Sequence, residues 1–273
     1  HEGFAAWIGR VGGDRAEEQD EIVGYHLEQA FRYREALGPV DERGRELGRR
    51  ASGRLAAAGR RALGRHDRQA VAKLLGRAES LLDPNDPARV SLLPDLAIAL
   101  WDGGRVEESN AVIAEALAVA EELGDPQGAM HATLARWFVL AELERPFDQI
   151  RSDCERAIAM FEATGDDRGL ARAWLLIADI GWDHGQAGEQ LAALERALEH
   201  AGRAGAAFEI AEVLLSLSAA IVRGPTPVTE GIAKTDELLR DYPGNRGVEA
   251  YIDHAIAHLR ARLGEFEAAR EAV

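Results

Sequence analysis

Two histidines near the end of the chain have a spacing that can bind a metal ion. His254 and His258 are four residues apart, so on a helix they share one face, as zinc ligands often do. The zinc-protease pattern needs a glutamate directly after the first histidine, and Ala255 occupies that position. We therefore interpret the pair as residues that line a surface, and we expect no metal site in this segment.

A short segment around Lys234, the second of the two lysines, is similar to the end of a phosphate-binding loop. Such a loop needs glycines that free backbone amides, followed by a lysine that reaches the phosphates. The sequence Gly-Ile-Ala-Lys-Thr at residues 231–235 has Ala233 where the second glycine is required, immediately before Lys234. We therefore expect no nucleotide and no cofactor to bind in this segment.

The single cysteine is the remaining candidate nucleophile. Cys154 stands between Asp153 and Glu155, whereas a reactive thiolate needs a cationic neighbourhood. It also falls in an apolar stripe, which predicts a buried thiol. No catalytic triad and no paired carboxylates in an apolar stretch are apparent, so the sequence predicts a segment without catalytic residues. The alternative is an enzyme whose site is assembled across several helices, which turnover assays with esters and nucleotides would reveal.

Charge is distributed unevenly along the chain, whose formal net charge is −15. Eleven basic residues and two acids lie between Arg43 and Arg77, which gives this segment +9 and leaves −24 for the rest. A basic stripe can hold nucleic-acid phosphates, but this one has no Phe, Tyr or Trp to stack on bases. We favour a solvated face or a face docked on acidic protein. Nucleic-acid binding is the alternative, and the salt dependence of affinity separates the two.

Neither a membrane span nor a leader segment is apparent in the sequence. The most apolar stretch, Val213 to Val222, is shorter than the roughly 18 residues that a span requires. One cysteine is compatible with a reducing compartment, and we expect a cytoplasmic location. The chain begins with His1 and ends within a helical pattern, so we interpret it as a piece of a longer protein.

An internal repeat sets the architecture in which these residues stand. The sequence Trp-Asp-Gly-Gly at residues 101–104 returns as Trp-Asp-His-Gly at residues 182–185. The apolar residues that follow return as well, with Ile113, Ala116 and Leu117 matching Leu194, Ala197 and Leu198. The separation of the two copies corresponds to two periods of about 40 residues, which is typical of helical repeats.

Each repeat reads as two helices with apolar residues three and four positions apart, separated by Gly-rich or Asp-Pro breaks. No alternating strand pattern occurs, so we predict an all-α fold of about a dozen helices. The predicted architecture is an α-solenoid, a right-handed superhelix of antiparallel helix pairs. A helical segment over 1–45 precedes repeats over 46–273, with units at about 51–87, 88–127, 128–168, 169–208, 209–246 and a truncated 247–273.

The units resemble tetratricopeptide repeats (TPRs). A large apolar residue in the first helix is followed four positions later by a small one, as in Leu93 and Ala97. The other such pairs are Leu55 and Gly59, Trp174 and Ala178, and Leu215 and Ala219, and the second helices have Ala78, Ala116, Ala157 and Ala197. The period exceeds the usual length of about 34 residues. The turns with Arg145-Pro146 and with Gly-Pro-Thr-Pro at 224–227 also depart from the pattern. The resemblance implies a concave surface that receives a protein or peptide.

The opening stretch resembles a second family. Residues 1–8, His-Glu-Gly-Phe-Ala-Ala-Trp-Ile, and residues 21–33, Glu-Ile-Val-Gly-Tyr-His-Leu-Glu-Gln-Ala-Phe-Arg-Tyr, are similar to the region after the nucleotide-binding domain of bacterial signal-transduction AAA or STAND-type ATPases. The resemblance extends from His1 to about Arg65 and is strongest to the group with a class III adenylate or guanylate cyclase domain. It implies an ATPase domain upstream in cis, where ATP and a divalent metal ion would bind. Transcriptional activators with the same ATPase and repeat plan are the alternative parents.

These two resemblances suggest two sets of functional residues. The tryptophans of the repeat are candidate anchors for a bound segment, although packing within the core is the alternative role for both. The candidate partner-binding residues are Trp101, Arg172, Asp179, Trp182, Asp183, Arg223, His254 and His258. The candidate joint to the ATPase domain consists of four arginines of the basic stripe, Arg49, Arg50, Arg60 and Arg61. The partner, the sign of regulation and the oligomeric state stay open.

Overall fold

Fourteen helices make up the regular secondary structure of the computed structural model, which describes residues 1–11, 19–64, 67–140 and 146–272. The prediction of an all-helical chain is therefore confirmed over these ranges. None of the described helices is both long and apolar enough to cross a membrane. In chain order they are α1 (Glu2–Val11), α2 (Asp20–Leu37), α3 (Glu42–Gly64), α4 (Arg68–Glu79), α5 (Ala88–Asp102), α6 (Val106–Glu122), α7 (Pro126–Leu140), α8 (Phe147–Thr164), α9 (Asp167–Asp183), α10 (Ala187–Ala204), α11 (Ala207–Arg223), α12 (Val228–Asp241), α13 (Arg246–Arg262) and α14 (Phe266–Glu271).

The helices belong to two compact units, the first containing α1 to α7 and the second α8 to α14. Neighbouring helices pack in pairs within each unit, such as α5 with α6 and α9 with α10. The segment predicted as one repeat over 128–168 contains most of α7, which belongs to the first unit, and α8, which belongs to the second. The boundaries predicted at 45 and 51 both fall inside α3. Arg145 of the predicted third turn lies outside the described residues.

Helix ends follow from short polar residues and glycines at the breaks. Asp166 caps α9 because its carboxylate accepts a hydrogen bond from the Gly169 amide, and Asp67 caps α4 in the same way. The loops after α5 and α9 contain Gly104 and Gly185, whose φ angles of 77° and 68° are left-handed. A side chain at either position would be strained, which explains why the repeat keeps glycine there.

Small residues let the helices of the first unit approach closely. Gly59 of α3 lies against Leu75 of α4, where an added Cβ would stand 2.6 Å from a Leu75 methyl group. The alanines predicted to allow close packing, Ala78 and Ala116, are buried. Burial of such apolar surface is the main stabilising contribution to a helical core.

The second unit uses the same arrangement. Ala157, Leu194 and Ala197 are fully buried in α8 and α10, together with the Phe161 ring. Gly169 of α9 lies directly against this ring, and a Cβ there would stand 2.5 Å from it. Cys154 is also fully buried, so the prediction of a core thiol is confirmed.

Candidate partner-binding site

The two tryptophans of the repeat have different environments. Trp101 is the penultimate residue of α5 in the first unit, where it is half-buried and packs against a cluster of Ala97, Ile113 and Val139. Trp182 is the penultimate residue of α9 in the second unit, where 42% of it is exposed. The packing role therefore describes Trp101, and Trp182 keeps the accessibility that an anchor requires.

Arg223 covers one side of the exposed tryptophan. It is the last residue of α11, and its guanidinium carbon lies 4.8 Å from the centre of the Trp182 ring. A guanidinium over an indole face is a cation–π arrangement, and it holds both side chains in a defined position. Two residues that the sequence placed on one surface are thus in direct contact.

A groove begins beside Arg223 and runs between α11 and α13. Its cavity has a volume of about 320 Å³. His254 and His258, one helical turn apart on α13, both line it, and their ring centres are 6.3 Å apart. The groove is lined by Ser218, Ala219, Val222, Arg223, Tyr251, His254, Ala255 and His258. The structure therefore brings three of the predicted residues together.

Tyr251 is an exposed aromatic residue of this groove that the sequence analysis did not single out. It is 61% exposed and lies three residues before His254, so it extends the face that the two histidines form on α13. The spacing of positions 251, 254 and 258 was the sequence feature that could have revealed it.

The acidic candidates lie on α9 rather than on the helices that line the groove. Asp183 is exposed directly after Trp182, and Asp179 is half-buried one helical turn earlier. Both aspartates interact with neighbouring groups. The surface consequently changes character, from acidic groups on α9 to an arginine and two histidines along the groove.

Arg172 is a correction to the candidate set. It is 1% exposed, and its guanidinium donates a hydrogen bond to the Glu209 carboxylate at 2.6 Å. Arg168 donates a second bond to the same carboxylate at 3.0 Å. A buried charge requires such a partner, so Arg172 joins α9 to α11 and is not available to an external ligand.

The groups at this surface can make several kinds of contact with a ligand. Among the described residues, no group of three or more His, Cys, Asp or Glu side chains could hold a metal ion. Burial, followed by the charge of Asp153, raises the pKa of the Cys154 thiol to about 12, so at neutral pH it is not a thiolate. An aromatic ring, a guanidinium and imidazoles beside a groove offer stacking, charge and hydrogen-bond donation to a ligand.

The basic stripe is neutralised mainly within the first unit. Arg60 pairs with Asp95, which is fully buried, at 2.6 Å, and Arg61 pairs with Asp20 at 2.8 Å. Arg49 pairs with Glu42 and Glu46 on its own helix. Further pairs join Arg54 to Asp20 and Arg77 to Glu28.

These pairs correct the expected role of the stripe. Arg60 and Arg61 pair with buried carboxylates, because a charged group inside a helical core requires such a partner. Of the four candidate joint residues, Arg50 is exposed and makes no ion pair within the described part of the chain. Arg50 is therefore the member of the set that remains available to another surface.

An exposed aromatic patch on α1 and α2 escaped the sequence analysis. Phe4 and Trp7 stack at a ring separation of 5.7 Å, and Phe4 also contacts His26 at 4.6 Å. Tyr25 and Tyr33 are exposed beside them. Contiguous exposed apolar surface of this kind marks sites of interaction.

A scan of protein-family models finds none that matches this chain, and a search of curated proteins finds no significant match.

Proposed function

We propose that this chain is a non-catalytic protein-interaction and regulatory segment of a larger cytoplasmic signalling ATPase or nucleotidyl cyclase. In this proposal its helix pairs are TPR-like repeats that stack as a right-handed solenoid. The observation that carries it is the exposed Trp182, held by Arg223 at the entrance of the groove between α11 and α13. The resemblance of the opening stretch supplies the class of the parent.

The physical support is that an indole ring exposed to water is unfavourable in free energy, and this cost is recovered when a partner covers the ring. A tryptophan buries a large area on binding and loses few rotatable bonds, so it is enriched among residues that dominate binding energy. Trp101 shows that the same repeat position can pack against a core cluster. The exposed state of Trp182 is thus a property of its surroundings in the second unit.

Site-specific photo-crosslinking tests this function. A benzoyl-phenylalanine at position 182, introduced into the chain in its native cell, is expected to give a discrete crosslink to a partner protein. The matched control places the same group at Glu162, an exposed residue of α8 in the same unit. Equal and diffuse crosslinking at both positions would contradict an interaction site at Trp182.

A joint to an ATPase domain in cis is supported by the aromatic patch of α1 and α2 and by Arg50, which lines a cavity together with Ala5 and Ala6 of α1. Arg50→Glu in the parent protein is expected to change nucleotide turnover without unfolding the segment, because Arg50 is exposed. Arg240→Glu, on the exposed side of α12, is the control for the same charge change. If both variants turn over nucleotide like the wild type, the first unit is only a tether.

Nucleic-acid binding by the basic stripe and a transcriptional-activator parent are the alternative functions. The ion pairs of Arg54, Arg60 and Arg61 leave fewer guanidinium groups for phosphates. We therefore expect any affinity for nucleic acid to be weak, with a shallow dependence on salt.

A further inference from the structure

The groove between α11 and α13 has a one-sided charge. Arg223, His254 and His258 line it, and no carboxylate does so among the described residues. Tyr251 and Ser218 add hydroxyl groups to this lining. Carboxylates of a ligand would meet an arginine and imidazole donors here, which are the groups that charge-assisted hydrogen bonds use.

The length of the groove limits the size of its ligand. Tyr251 to His258 covers seven residue steps of α13, or about 10 Å along the helix axis. An extended peptide advances about 3.3 Å per residue, so about three residues lie along this distance. A cavity of about 320 Å³ admits side chains from such a segment, and it is open to solvent at the exposed residues Arg223 and Tyr251.

We propose that this groove binds an extended acidic segment of a partner protein, about three residues long, whose flanking apolar side chain packs on Trp182. The inference rests on the proposed interaction function and adds the chemistry of the partner. Charge complementarity with Arg223 and hydrogen-bond donation from the two imidazoles favour the acidic residues. The exposed indole beside Arg223 favours the apolar one.

The two acids on α9 determine that the apolar side chain of the segment, and not its carboxylates, lies over α9. Asp183 directly follows Trp182, and Asp179 lies one turn earlier on the same helix. A ligand carboxylate over α9 would meet like charge, whereas an apolar side chain there meets the indole. Like-charge repulsion at α9 disfavours a uniformly acidic segment, and like-charge repulsion by Arg223 disfavours a basic one.

Fluorescence anisotropy with defined peptides tests this proposal on the full 273-residue chain. The probe is labelled Leu-Glu-Glu-Glu-Leu, whose two leucines allow either direction of binding, and the neutral comparison is Leu-Gln-Gln-Gln-Leu. We expect the acidic peptide to bind at least about tenfold more tightly at low salt, and the difference to shrink as salt screens the charges. Equal affinity for both peptides would overturn the proposal.

Two substitutions locate the binding to the groove. Arg223→Gln keeps a polar chain of similar length without the charge and should weaken binding of the acidic peptide about fivefold. The double variant His254→Gln and His258→Gln, which removes both imidazoles of α13, should also weaken binding of the acidic peptide. Arg240→Gln on α12 is the matched control and should bind like the wild type.

The outcomes separate this proposal from the function on which it rests. If Arg223→Gln binds the acidic peptide as tightly as Arg240→Gln does, the groove is not the acidic site. A phosphoserine version of the probe that binds more than about tenfold tighter would also overturn the choice of carboxylates. If either of these two results is found but a partner still crosslinks at position 182, the interaction function stands and only the acidic ligand is rejected.

Discussion

The ends of α5 and α9 carry tryptophans at equivalent positions of one repeat, and the two units use them differently. In the first unit Trp101 packs on a cluster that includes Val139 of α7. In the second unit Trp182 is 42% exposed, with the Arg223 guanidinium over its ring. When the two copies of the repeat are aligned, Val139 corresponds to Ala220, whose smaller side chain offers less apolar surface.

The helices that carry the tryptophans also contact their neighbours through different residues. The cluster around Trp101 joins α5, α6 and α7 through apolar side chains. The contact of α9 with α11 includes the buried Arg172–Glu209 ion pair. The repeat places the two tryptophans at equivalent positions. The helix that follows each helix pair, α7 in the first unit and α11 in the second, determines whether the tryptophan is buried or exposed.

The largest expected effect is the loss of the buried ion pair. Glu209→Ala leaves Arg172 and Arg168 without the carboxylate that both of them contact. Removing one partner of a buried pair typically costs about 3–5 kcal/mol, because the remaining buried charge loses a compensating interaction. We expect urea unfolding of the second unit at a clearly lower midpoint.

The control for this prediction is an exposed pair of the same unit. Glu195 lies 3.4 Å from Lys234 on the surface, so Glu195→Ala should change the free energy of unfolding by less than about 1 kcal/mol. Comparable losses for Glu195→Ala and Glu209→Ala would show that the join between α9 and α11 does not depend on its ion pair.

The next effect concerns the packed tryptophan. Trp101→Ala removes a half-buried ring from the cluster with Ile113 and Val139, and leaves a cavity there. Full burial of a tryptophan is worth about 3–5 kcal/mol on truncation, so we expect about 2 kcal/mol for this partly buried ring. Thermal unfolding followed by circular dichroism measures the change. A melting temperature like that of the wild type would contradict the core role.

The same substitution in the second unit should do less to the fold. Trp182→Ala removes an exposed ring, so we expect less than about 1 kcal/mol in unfolding free energy and a clear loss of partner capture. The measurement combines thermal unfolding with the crosslinking or peptide assay. A melting temperature lowered as far as in Trp101→Ala would make both tryptophans core residues and remove the difference between the units.

Much of the fold was predictable because it depends on local spacing. Apolar residues three and four apart predict the helices, and small residues such as Ala116 and Ala197 predict where helices touch. The starts of the units predicted at 88, 128, 169, 209 and 247 lie within two residues of the starts of α5, α7, α9, α11 and α13. The assignment of α7 and α8 to different compact units was not predictable, since local periodicity carries no information about which neighbours pack together.

The candidate site was only partly predictable because charges find partners far along the chain. Arg172 and Glu209 are 37 residues apart, and Arg60 and Asp95 are 35 apart. A stripe of arginines in the sequence therefore looked unpaired, although several of its members, such as Arg54, Arg60 and Arg61, meet acids of other helices. Arg223 and His254 were candidates for one surface because of the resemblance to tetratricopeptide repeats, whereas Tyr251 became apparent from the cavity itself.

The smallest expected effect is the coupling between Trp182 and Arg223, which a double-mutant cycle measures. The guanidinium lies 4.8 Å from the ring centre, and exposed cation–π pairs contribute about 0.5–1 kcal/mol. Trp182→Ala, Arg223→Gln and the double variant should give an interaction energy of this size in the free energy of unfolding. The first unit offers a parallel, because the Arg136 guanidinium lies 4.5 Å from the Trp137 ring, which is buried. Desolvation strengthens such pairs, so a stronger coupling at Trp182 than at Trp137 would mean that solvent does not reach the Trp182 ring, and the anchor role would fail.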